Sequence, residues 1–170
     1  FQDSDDKDDV TIEAVDFDLH LKEGDRFDLG GVTCEVYEVP GHTGDSLAFF
    51  IPEIRALFAG EACGVPEGDK DSDIQVEFLS SYDDYLASLD KLIALQPRLI
   101  GMAHTWVFTD DDATTFLKQS RDATPRYREL IETYLDAAQG DLDDAVASMA
   151  RKEYDEKGNE INCLEHLSND

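Results

Sequence analysis

The 170-residue sequence predicts a mixed α/β (α+β) protein, a mostly antiparallel sheet with covering helices and a helical C-terminal extension. Three observations predict it. Short β-type runs separated by turn residues fill the stretch from Phe17 to Gly60. An apolar stripe at helical spacing follows between Tyr85 and Ile93, and after His104 capping residues alternate with helix-forming segments.

In order along the chain, residues 1–10 form an Asp-rich leader without periodicity, expected to be disordered. Residues 25–29 and 32–39 flank Gly30-Gly31, which predicts strand, turn, strand, because glycine accepts the positive φ of a two-residue hairpin. A second hairpin is expected from residues 46–51 and 56–59 across Pro52-Glu53-Ile54-Arg55, and its near-continuous apolar character predicts burial on both faces. Residues 64–75 are polar and rich in Asp and Gly, as in a long surface loop. Ser80 or Ser81 then caps a helix to about Leu95, with Tyr85, Leu86, Leu89, Leu92 and Ile93 facing the core. Pro97 ends that helix, and residues 98–102 form the next strand. Thr109-Asp110-Asp111-Asp112 opens another helix, whose positive end the acidic groups suit. Thr124-Pro125 is read as a break, with Pro125 in the first turn of a helix that Gly140 stops, and Asp141 begins a last helix to about Tyr154. The division that follows is an acidic leader (1–10), a main domain (11–122) and a helical extension (123–170).

Charge narrows the partners. Lys+Arg number 14 against 40 Asp+Glu, a formal −26, so the surface repels nucleic-acid phosphates and anionic lipid headgroups. No apolar run approaches the ~18 residues of a membrane span. Three widely spaced cysteines form neither a disulfide framework nor a zinc ribbon, which favours a reducing, cytoplasmic setting. Cys34 reads as a small buried hydrophobe. Cys63 lies two residues after Glu61 but has no visible base to activate it.

The chemistry-bearing residues sit at strand ends. Pro40-Gly41-His42-Thr43-Gly44-Asp45-Ser46 places His42 in a turn after one strand; Gly60-Glu61 closes the second hairpin; and residues 98–104 are a short apolar strand ending in His104. Each residue has a plainer reading: a turn histidine for His42, a paired carboxylate for Glu61, a hydrogen-bonded histidine beneath Trp106 for His104. A carboxylate beside a buried strand nevertheless needs a partner or a metal. His20 reads as a strand-surface residue, and His166 near Cys163 lacks further spaced ligands.

These motifs resemble the metallo-β-lactamase fold superfamily, specifically the second half of its αββα sandwich, over about residues 17–134. The resemblance implies two divalent metal ions, zinc ahead of iron or manganese, with His42 on one ion, Glu61 as the bridging or second-metal carboxylate and His104 on the other. No catalytic residue is assigned. Glu61 stands where the family usually has Asp, one methylene shorter, and Met102-Ala103-His104-Thr105 replaces the usual Pro-Gly-His-Gly. The family's His-x-His-x-Asp-His signature has no match, so the chain is read as the C-terminal part of a longer hydrolase. The resemblance implies a thioester, lactone, glyoxalase-type thioester or phosphodiester substrate, with a thioester or other ester ahead because the helical tail is most similar to the quinolone-signal response thioesterases. Expected partners are that small molecule and either a missing N-terminal half or a second copy. The alternative is a non-catalytic binding or regulatory domain with an incomplete metal site; a mononuclear two-histidine, one-carboxylate iron site is a third reading.

Overall fold

A computed structural model describes residues 18–66 and 73–155. Eight strands occur there: β1 (Arg26–Asp28), β2 (Thr33–Glu38), β3 (Leu47–Ile51), β4 (Ala56–Gly60), β5 (Val65–Pro66), β6 (Ile74–Gln75), β7 (Leu99–Met102) and β8 (Val107–Thr109). The helices are α1 (Tyr82–Ala94), α2 (Asp110–Ala137) and α3 (Leu142–Met149), the last continued by a π-type helical turn, Ala150–Asp155. Six strands form one sheet in the order β1-β2-β3-β4-β7-β8, antiparallel except where β7 runs parallel to β4 after the α1 crossover; β5 and β6 pair separately. The mixed α/β class and the mostly antiparallel sheet hold. The expected leader, Cys163 and His166 lie outside the described residues.

The first hairpin turns as its glycines predict. Gly30 and Gly31 have φ of 93° and 113°, and both amides donate to the Asp28 carboxylate at 2.8 and 2.9 Å, which holds that carboxyl below its usual range. Ser81 caps α1 by accepting from the Asp84 amide, and Tyr85, Ser88, Leu89 and Leu92 form its buried face.

The sheet has two unlike faces. Cross-strand partners share a face, so Glu35, Phe50, Leu57, Ile100 and Phe108 form one row and Val36, Phe49, Phe58, Gly101 and Val107 the next row on the opposite side. Phe50, Leu57, Ile100 and Phe108 pack with Tyr85, Leu89 and Leu92 of α1 and Phe116 and Leu117 of α2 in the main core. On the other face Phe58 is 46% and Val107 63% exposed. Burial on both faces is therefore only partly met: helices cover one face of β3 and β4, while on the other Val36, Ile51 and Ala56 are buried and Phe58 and Val107 are exposed. Gly101 shapes this open side, since a Cβ there would stand 2.9 Å from the Phe58 ring.

Three further differences concern single elements. β8 extends the sheet at a segment where the sequence predicts no strand, because Val107–Thr109 pairs along β7. His20 is exposed and precedes β1 rather than sitting on a strand. The expected break at Thr124-Pro125 does not occur, and α2 runs unbroken past position 125. Pro125 lacks the N–H that would reach Arg121, but Thr124 Oγ1 donates to the Ser120 carbonyl at 2.8 Å and Ser120, Ala123 and Thr124 are buried against the core. Packing holds the helix together through the proline. Gly140 stops it, with φ of 86° and its amide donating to Leu135.

Candidate metal centre

His42 is fixed by a clamp between the β2–β3 turn and the start of α1. Gly41 has φ of 134°, and a Cβ there would lie 2.4 Å from Tyr85 Cα, so only glycine lets the turn approach the helix. The Gly41 carbonyl accepts from the amides of Ser80 and Ser81 and from Ser80 Oγ, and Ser88 Oγ donates to the Pro40 carbonyl at 2.8 Å. Beyond the histidine, Thr43 Oγ1 donates to the Asp45 carboxylate at 2.7 Å and holds that carboxyl below its usual range.

The three strand-end residues converge. His42 Nε2 lies 2.8 Å from Glu61 Oε2, and His104 Nε2 lies 3.1 Å from Glu61 Oε1. One carboxylate thus spans two imidazoles from different strand ends. Glu61 reaches this point because β4 bulges between Phe58 and Gly60 and Gly60 turns with φ of 57°. His104 is placed by a turn after β7, with Thr105 at φ of 48° and Met102 N–H donating to the Trp106 carbonyl. The rings differ in exposure, 12% for the His42 side chain against 65% for His104.

Sequence reasoning missed Glu77. Its backbone carbonyl accepts from His42 Nδ1–H at 2.9 Å, and its carboxylate Oε2 stands 3.7 Å from the same nitrogen. Glu77 lies 35 positions from His42 in a non-repetitive stretch between β6 and α1, where no motif marks it. Among the described residues, one group of metal-ligating side chains has a ligand atom from each member within 4.8 Å of the others: His42, Glu61 and Glu77. Cys63 stays outside it. Its side chain is buried beside Met102, with the sulfurs 3.7 Å apart, and burial pushes its thiol up to about 12, so it offers no thiolate.

The donor set suits a cation. A carbonyl can only accept, so the proton on His42 sits on Nδ1, and the Nε2 lone pair faces a carboxylate oxygen. Two acceptors at that distance repel unless a metal ion, or a second ring proton, lies between them. A histidine whose far nitrogen is held by a carbonyl while the near one faces the site is the usual arrangement of metal-ligating imidazoles.

A family model described as the metallo-beta-lactamase superfamily matches residues 13–104, more than half of the chain. The chain belongs to the metallo-beta-lactamase superfamily. The matched region ends on His104 and contains His42, Glu61 and Glu77. Among proteins similar to this superfamily member, a hydroxyacylglutathione hydrolase from Ruegeria pomeroyi is 40% identical over 83 residues, 46% of this chain and 28% of that one. Another of the same name from Pseudomonas putida is 52% identical over 46 residues, 26% of this chain and 18% of that one. The matches thus span less than a third of those relatives' length. Among solved structures, a metallo-beta-lactamase family protein from Thermus thermophilus superposes with a TM-score of 0.51 at 24% identity, covering 70% of this chain and 38% of the other. An archaeal superfamily protein from Sulfolobus tokodaii gives 0.52 at 20% identity, covering 62% and 38%. At those identities the likeness is one of fold.

Proposed function

We propose that this chain forms part of a metal-dependent hydrolase of the metallo-beta-lactamase superfamily, with His42, Glu61 and His104 as ligands to a pair of divalent ions. The carrying observation is the single Glu61 carboxylate held between two imidazoles, at 2.8 and 3.1 Å. Glu61 replaces a shorter aspartate without losing either contact, because the β4 bulge and the turn at Gly60 set its backbone. A divalent ion bound there would acidify its coordinated water toward a pKa of ~7 and polarise the scissile carbonyl. The chain's own residues orient the ligands: the Glu77 carbonyl sets the His42 tautomer, and the Gly41 clamp sets the ring's position.

The similar proteins named as hydroxyacylglutathione hydrolases support a small thioester substrate, an acyl group on a thiol, over an oxyester or phosphodiester. Imidazole with carboxylate favours zinc, with iron or manganese next. The free thiols of Cys34 and Cys63 support a reducing cytoplasmic setting, and no described helix is long and apolar enough to cross a membrane. The open sheet face supports a further protein layer as a partner, either more of the family sandwich or a second copy. The 11–122 and 123–170 division remains our proposed organisation, with α2 running through its boundary.

The test is metal content together with hydrolysis of a hydroxyacylglutathione. Zinc-loaded protein is expected to retain divalent metal through gel filtration and to lose any thioesterase activity in chelator, and Glu61→Gln is expected to lower metal affinity about 100-fold. Failure to retain any divalent ion under any loading condition would leave the non-catalytic binding domain as the reading.

A further inference from the structure

We propose that Glu77 is a third protein ligand, so that His42, Glu61 and Glu77 hold one divalent cation with this chain's residues alone, a reading that rests on the metal-centre assignment above. Two ligand atoms on a first-row ion, each bound at about 2.1 Å, lie at most about 4.2 Å apart. The three residues bring ligand atoms within 4.8 Å of one another, a small side-chain rotation from that limit. The Glu61 and Glu77 side chains are 36% and 29% exposed, which leaves room for that rotation. The backbone, by contrast, is anchored: the Glu77 carbonyl accepts from His42 Nδ1–H and from the Leu79 amide.

Charge points the same way. Two carboxylates share one partly buried imidazole in a chain of formal charge −26, and their mutual repulsion is offset when a dication sits between them. His104 touches only the far oxygen of Glu61 and stands outside the three-residue group. One nitrogen and two carboxylate donors form an oxygen-rich set, which suits manganese, iron, cobalt and zinc in place of a thiolate-selected metal.

Glu77 serves the site twice, and the two roles separate by mutation. Glu77→Gln keeps the carbonyl that orients His42 and removes only the carboxylate charge. Cobalt(II) is the probe, because its visible absorption reports the ligand set directly. Wild-type chain is expected to bind Co²⁺ with His42→Ala and Glu61→Gln abolishing the spectrum. Glu77→Gln is expected to weaken binding at least about tenfold and shift the bands, with an unchanged urea midpoint, while His104→Ala has the smaller effect. A Glu77→Gln titration matching wild type in affinity and band position would remove Glu77 from the site and leave the other ligands standing. Absence of any Co²⁺ spectrum with the wild-type chain would overturn both this inference and the metal-centre assignment.

Discussion

At Gly41 the fold and the site depend on one missing methyl group. Any Cβ there meets the backbone of Tyr85, and the φ of 134° disfavours every other residue. Gly41→Ala is expected to cost about 3 kcal/mol through overpacking and backbone strain, read as a lowered urea midpoint, and to displace His42 from Glu61. Tyr85 adds a pH signature. Its hydroxyl is buried and accepts from the Gly64 amide at 2.6 Å, and burial pushes the phenol above its ordinary value of 10. Because the folded value exceeds the unfolded one, the stabilisation is complete below pH ~10 and declines as pH rises from there through the folded value. Cys63, at about 12 from burial, acts in the same direction. Urea midpoints should therefore fall between about pH 9 and 11, and Tyr85→Phe should flatten that decline while costing about 1–2 kcal/mol at neutral pH, where it leaves the Gly64 amide without its acceptor. A decline as steep in the Phe variant would show that another group controls the alkaline limb.

Among the elements, α2 is where local preference and packing conflict. Proline inside a helix removes one hydrogen bond and strains the preceding turn, which is why Thr124-Pro125 reads as a boundary. The helix continues because its buried face, from Ala113 through Phe116 and Leu117 to Ala123 and Thr124, packs on the core up to the proline, and Tyr127 just beyond it packs partly buried against the same core. Pro125→Ala should then stabilise the protein by about 1–2 kcal/mol, the restored bond outweighing the greater freedom of the unfolded chain. Thermal unfolding checks this, and a loss of stability would mean that Pro125 opens a separate helix after all. Other element boundaries were legible because they are set by neighbours in sequence: Gly30-Gly31 in the first hairpin, Ser81 at the start of α1, Gly140 after α2. β8 was not legible, since three residues take strand form only by pairing with β7.

On the scale of the molecule, the contrast between the two sheet faces carries the main consequence. Phe49, Phe58 and Val107 line up across β3, β4 and β8 on the side away from the helices, an apolar row of the kind that marks a protein contact. Size-exclusion chromatography with light scattering is expected to show self-association of this chain, strengthened by salt because screening weakens the repulsion of its −26 charge. The double variant Phe58→Lys, Val107→Lys should return it to monomer. A monomeric wild-type chain at all salt concentrations would contradict this.

The sequence by itself determined the local geometry and the identity of the candidate ligands: the glycine-led turns, the helix caps, and an imidazole or carboxylate at each of three strand ends. Those features depend on residues a few positions apart, whose φ preferences and hydrogen bonds act at short range. Only the tertiary structure decided that His42 and His104 meet the two oxygens of Glu61, that Glu77 joins them from an unmarked stretch, and that α2 survives its proline. Each of these depends on groups brought together across tens of residues by sheet pairing and core burial, forces that leave no local trace in the chain.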